Sequence, residues 1–187
     1  MNENMKNRKI WYAFLLSLFC VSIGVGVWAN NYFNPVVDGN MIEALSAIHQ
    51  GEGISAAASY NSRQSLHPIV LLDFSGKGHP WTNQVPVEWR PANITSVELV
   101  VLVGEEEEKA LETVEYYGPS ITRYQHYLVV QLRAARTGKT VANTTLYGSL
   151  PRLCLQSEDY YLTRLEGSHV SFDQLKEWLK PYVNPNN

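Results

Sequence analysis

The chain has 187 residues, 15 Lys+Arg against 18 Asp+Glu, a formal net charge of −3, two cysteines and 45% hydrophobic residues. That length allows one ordinary domain and little more. The composition excludes a disordered tail protein, a disulfide-dense mini-protein and a multi-span membrane protein.

The apolar residues are unevenly spread, with 28 consecutive residues from Ile10 to Val37 lacking Asp, Glu, Lys and Arg. The first predicted element is therefore a transmembrane signal anchor over residues 10–29, preceded by a cytoplasmic N-terminus, residues 1–9. Its apolar side chains include Ile10, Leu15, Leu16 and Phe19, and Trp11, Tyr12 and Trp28 stand near its ends, as in an aromatic belt. At about 1.5 Å per residue, the segment from Ile10 to Trp28 spans roughly the 30 Å hydrocarbon layer. Lys6, Arg8 and Lys9 precede it, and no Lys or Arg follows until Arg63. This bias keeps the N-terminus in the cytoplasm and places the rest outside the cell membrane. A cleaved signal peptide is the competing reading, because Val27-Trp28-Ala29 offers small residues to a peptidase. An apolar core longer than about 7–15 residues favours the anchor. Phe19 directly before Cys20 does not suit a lipid-attachment site.

Residues 30–39 read as a linker, with Asn34-Pro35 and Asp38-Gly39 as turn signals, and residues 40–187 as one extracytoplasmic domain. Asn40 is placed to cap a helix running to about Gln50, with Met41, Ile42, Leu45 and Ile48 at helical spacing. Ala56 to Leu66 reads as a loop or strap. Strands are expected over Pro68–Phe74, Val97–Val103, Ala110–Tyr117, Ser120–Ala135 and Thr140–Tyr147, with a tight turn at Arg136-Thr-Gly-Lys139. In the long strand, Arg123, Tyr127 and Arg133 fall on the more polar face, and His126, Leu128, Val130 and Leu132 on the core face. Ser171-Phe-Asp-Gln174 fits a capping box for a last helix with a Phe172, Leu175, Trp178, Leu179 stripe, ended by Pro181. The fold class is α+β: an antiparallel β-meander covered by a C-terminal helix.

Chemistry-bearing motifs are sparse. The stretch from His79 to Pro91 holds Trp81, Trp89 and Arg90 between prolines, and reads as a peptide- or glycan-binding loop or as the apolar anchor of a long connection. The outer strand face with Arg123, Tyr127 and Arg133 is the candidate protein-contact surface. His67, His79, His126 and His169 show no i,i+4 or i,i+2 ligand spacing, so no metal and no cofactor is expected. There is no GxSxG, HExxH or SxxK. Glu105 to Glu108 reads as a solvated hairpin tip charged against edge pairing. Cys154 is the only cysteine of the exported part, so no bridge forms within it. The exported part is net acidic, which disfavours nucleic acid as a partner.

The strings His79-Pro-Trp81, Glu88-Trp-Arg-Pro91, Glu98–Gly104, Tyr116–Tyr124, Ala135–Lys139, Val170–Asp173 and Trp178–Pro181 resemble an uncharacterised family of bacterial membrane-anchored or secreted domains. The resemblance covers about residues 66–183 and brings no known activity. It implies cysteines in relatives near the places of Leu102, Val114 and Cys154, with a cross-strand bridge replaced here by apolar packing.

These readings lead to a single-pass envelope protein, not an enzyme, serving as an accessory or interaction subunit of a membrane complex. Its partners would be the membrane, through the N-terminal helix, and another membrane or envelope protein. The alternatives are an extracytoplasmic peptide- or glycan-binding module built on residues 79–91, and a hydrolase without a recognisable motif.

Overall fold

The computed structural model describes residues 37–61, 66–118, 120–159 and 161–185. The expected membrane span, residues 10–29, and Cys20 lie outside them. Among the described residues no helix is long and apolar enough to cross a membrane.

The described chain enters through a short helix, α1 (Gly39–Leu45), which tightens into a 3-10 turn over Ser46–Gln50. Its cap is Asp38 and not the expected Asn40: the Asp38 carboxylate accepts the Met41 N–H at 2.8 Å. An Asp oxygen satisfies an orphan amide and adds a negative charge that favours a helix start.

Six strands, β1 (Ile69–Asp73), β2 (Leu99–Val103), β3 (Glu107–Glu115), β4 (Ser120–Ala134), β5 (Thr140–Tyr147) and β6 (Arg164–Glu166), form one sheet. Its spine is β4, which carries β2 and β5 along its C-terminal half and β3 and β6 along its N-terminal half. The expected antiparallel meander holds for β3, β4 and β5. The sheet as a whole is mixed, because β1 runs parallel to β2 and β6 runs parallel to β4. A hairpin forces antiparallel neighbours, whereas the long connection from Phe74 to Glu98 leaves room for a crossover. At the other hairpin, Gly138 takes φ 68°, the left-handed conformation a tight turn needs, and β4 returns as β5.

Strands β1 and β2 are buried on both faces, as parallel neighbours usually are. Ile69, Leu71, Leu99 and Val101 face the last helix, α2 (Phe172–Val183), while Val70, Leu72, Val100 and Leu102 face Met41, Leu45 and Ile48. The expected capping box forms: Ser171 Oγ accepts the Gln174 N–H, and Gln174 Oε1 accepts the Ser171 N–H at 2.9 Å. Leu175, Leu179 and Val183 are fully buried, and Phe172, Trp178 and Tyr182 pack at their margin. Pro181 does not end the helix but sits in its last turn. Its fixed φ is helical, and burial of Val183, worth about 1.5–3 kcal/mol, offsets the missing N–H.

Two more expectations change in the middle of the chain. Glu105 to Glu108 is no hairpin tip: β3 begins at Glu107, and Glu105 and Glu106 form the junction between two strands that both run antiparallel to β4. Leu102 pairs with Leu72 and Gln131, whereas Val114 pairs with Ile121, so the register does not set the two implied cysteine positions opposite each other.

Candidate functional site

The connection from β1 to β2 opens with a turn knotted around Asp73. Its Oδ1 accepts the Ser75 N–H, the Ser75 hydroxyl and the Lys77 N–H at 2.7–2.9 Å. Burial alone would raise the Asp73 pKa, but these bonds and the Lys77 charge hold it below the ordinary carboxylate value. His79 then caps a 3-10 turn over Pro80–Gln84, its Nδ1 accepting the Trp81 N–H at 3.2 Å. Burial pushes the His79 pKa down against the opposing pull of Asp73. The Trp81 ring stands edge-on to both His79 and Phe172.

A cavity of about 560 Å³ lies beside this turn, with Asp73, Phe74, His79, Trp81, Glu105 and Glu106 on its wall. It opens at the C-terminal ends of the parallel strands β1 and β2, where α/β sheets commonly receive ligands. Of the four residues expected in the binding loop, His79 and Trp81 reach this cavity. Trp89 does not: it is 5% exposed and belongs to the core under α2. Arg90 clamps the loop, its guanidinium donating to the carbonyls of Val85 and Asn83. The loop is thus binding wall at one end and structural anchor at the other. A serine triad is not assembled here, because the Ser75 hydroxyl donates to Asp73 and His79 Nδ1 is taken by a backbone amide.

The expected contact face on β4 is only partly a surface. Burial follows the expected alternation from His126 to Ala134, but Ile121 and Arg123, of the opposite phase, are buried as well. The segment after β5 folds over that end of the strand: Arg123 donates to the Pro151 carbonyl at 2.7 Å and to Glu112 at 2.5 Å. Arg133 is spent on Gln131 and on the Ile48 carbonyl. Tyr127 stays half-exposed, its hydroxyl bonded to Glu107 and its ring near Tyr147.

A polar cluster that the sequence did not announce lies next to the cavity. Glu106 comes from the β2–β3 junction, His126 from the middle of β4, and His169 from the segment before α2. His169 Nδ1 is 2.6 Å from Glu106 Oε2, and the Val170 N–H donates to Glu106 Oε1 at 2.6 Å. His126 Nδ1 is 3.9 Å from the same Oε2, and its Nε2 is 3.4 Å from Glu166 Oε2. The two imidazole rings lie 4.2 Å apart, tilted by 31°. Beyond them Arg164 bridges Glu108 and Glu166 and lies over the Tyr124 ring. Ligand-type atoms of Glu106, His126 and His169 fall within 4.8 Å of one another, as do those of Glu108, His126 and Glu166. Burial opposes ionisation of Glu106, but the Val170 amide and the two histidines outweigh it and lower its pKa. The hydrogen bond and charge of Glu106 raise the pKa of His169.

What delivers His169 is a close chain crossing. Ser149 N–H donates to Ser168 Oγ at 3.0 Å, and Ser168 N–H donates to Ser149 Oγ at 2.8 Å. The residues just before them are Gly148 and Gly167, where a Cβ would collide with the opposite carbonyl oxygen, of Ser168 and Ser149 respectively. The one trace in the sequence is this repeated Gly-Ser pair, and it carries no hint of its partner.

The segment between β5 and β6 forms a third feature. Leu150, Leu153, Leu155 and Tyr161 are 65%, 71%, 59% and 87% exposed. Its backbone is nonetheless tied down: Glu158 accepts from Arg152 and from the Leu155 N–H, and the Tyr116 hydroxyl donates to the Leu155 carbonyl. The Arg152 bonds, then the Leu155 amide, bring the Glu158 pKa down to about 2. Cys154 lies half-buried in this segment.

Comparison with protein-family models, curated proteins and solved structures gave no match.

Proposed function

We propose that this chain is a membrane-anchored, extracytoplasmic interaction subunit that meets a partner protein through the segment between β5 and β6. The observation that carries this reading is the display of Leu150, Leu153 and Leu155 on a backbone tied down by Glu158, Tyr116 and Arg123. Apolar side chains held out on an ordered loop lose little entropy on docking and serve well as anchors. The uncharged run from Ile10 to Val37, with basic residues before it, supports the anchor and the outward orientation. In this reading the partner is another membrane or envelope protein. A photo-crosslinking residue at Leu153 of the full-length chain in its native membrane should capture one neighbour. Leu153→Glu combined with Leu155→Glu should abolish co-purification without lowering the melting temperature. A monomer in mild detergent that captures nothing would sink the proposal.

A second reading, a ligand-binding module, is favoured by the cavity at His79 and Trp81. Its mix of an aromatic wall and carboxylates suits a peptide or a glycan. Titrating such ligands while following tryptophan fluorescence tests it, and Trp81→Ala should remove the response while the fold persists.

A further inference from the structure

His126 is 3% exposed, yet its ring nitrogens make only long contacts: Nδ1 stands 3.9 Å from Glu106 Oε2, and Nε2 stands 3.4 Å from Glu166 Oε2 without a well-aligned hydrogen bond. A buried polar ring whose contacts stay this long forgoes most of the gain of a hydrogen bond, and native structures seldom leave one so without a purpose. Both nitrogens nonetheless point at carboxylates, Nδ1 at Glu106 and Nε2 at Glu166.

The geometry points to a divalent transition-metal site of the zinc class, with Glu106 Oε2, His126 Nδ1 and His169 Nδ1 as its three protein ligands. Imidazole and carboxylate donors suit zinc and its neighbours, and three such ligands leave a fourth position open. Bond lengths of about 2.0–2.1 Å around a tetrahedral ion put neighbouring donor atoms about 3.3 Å apart. The observed separations from Glu106 Oε2, 2.6 Å to His169 and 3.9 Å to His126, bracket that value. An ion would have to draw His126 in and let His169 back off, and all three donor atoms already lie within 4.8 Å of one another. The surrounding shell is in place too. The Val170 N–H holds Glu106 by Oε1 and leaves Oε2 for the ion. Glu166 stands where a metal-bound His126 would donate its Nε2 proton, the carboxylate–histidine–metal arrangement that fixes ring orientation. Arg164 meanwhile engages Glu108 and Glu166, which keeps those carboxylates in the outer shell. Because Glu106 also lines the cavity, the ion would sit at its edge.

The test is calorimetric titration of the full-length protein in mild detergent with Zn²⁺, and with Mg²⁺ as control. One Zn²⁺ per chain and no Mg²⁺ binding are expected. His169→Gln, a change at an exposed ring, should weaken binding by at least about tenfold, and Glu166→Gln by about 10–100-fold, as loss of an outer-shell partner does. As a readout on the unaltered chain, imidazole ¹⁵N spectra should show Zn²⁺ moving the Nδ1 resonances of His126 and His169. No binding, a loss below tenfold in His169→Gln, or movement of other histidines instead would overturn the site.

Discussion

Trp89 lies among Ile69, Leu99, Leu175 and Leu179, while Trp81, eight positions earlier, is half-buried with one face on the cavity. Replacing them separates structure from binding. Trp89→Ala should cost about 3–5 kcal/mol, the usual range for a large aromatic lost from a core. Trp81→Ala should cost less than Trp89→Ala, since Trp81 packs only at the margin of that core and lines the cavity instead of filling the interior. Urea melts of the two variants check the difference. The polar residues sort by the same logic. Arg90 and Arg133 each satisfy backbone carbonyls, of the 83–85 turn and of Ile48, so both are engaged within the chain. Arg123 does so while buried, with its charge balanced by Glu112. Sequence spacing placed all three on surfaces, because it reports which way a side chain leaves the strand or loop and not what folds back over it.

At the level of elements, the crossing of Gly148-Ser149 with Gly167-Ser168 joins the end of β5 to the approach of α2 and sets His169 beside His126. Gly167→Ala should lower the melting temperature, because its Cβ meets the Ser149 carbonyl. Gly39→Ala gives the opposite sign: a Cβ there meets nothing within 4 Å, and the loss of chain entropy in the unfolded state should stabilise by about 0.4–1 kcal/mol. Thermal melts of both variants decide. The exposed β5–β6 segment has its own pH dependence. Glu158 has a folded pKa of about 2 against an ordinary 4.5, so its support is complete above 4.5 and is lost as pH falls toward 2. The Leu155 amide, whose N–H donates to Glu158, should therefore lose its hydrogen-bonded NMR shift and exchange protection across that window. In Glu158→Gln that transition should be absent.

At the scale of the fold, among the described residues, two apolar clusters share β1 and β2, with Ile69 and Leu71 in one and Val70 and Leu72 in the other. A strand cannot leave one cluster and remain in the other. The unit Val37–Asn187 should accordingly unfold in one step, with far-UV circular dichroism and tryptophan fluorescence changing together. Leu179→Ala on one side and Leu45→Ala on the other should each cost about 2–5 kcal/mol and shift that single transition without splitting it. The cavity and the Glu106 cluster lie where these layers meet the open end of β1 and β2, so they depend on the same cooperative core.

Residue pattern alone accounts for the periodic and punctuated elements: the buried runs of β1 and β2, the β4–β5 hairpin at Gly138, and the α2 capping box at Ser171 and Gln174. These are local, set by alternation, turn conformation and caps within a few residues. The folded chain adds that β1 and β2 run parallel, that the segment after β5 buries Arg123, and that Glu106, His126 and His169 meet. Each of these joins segments tens of residues apart. No periodicity records such a meeting, because it follows from burial on both faces of a shared sheet and from two glycines that let the chain cross itself.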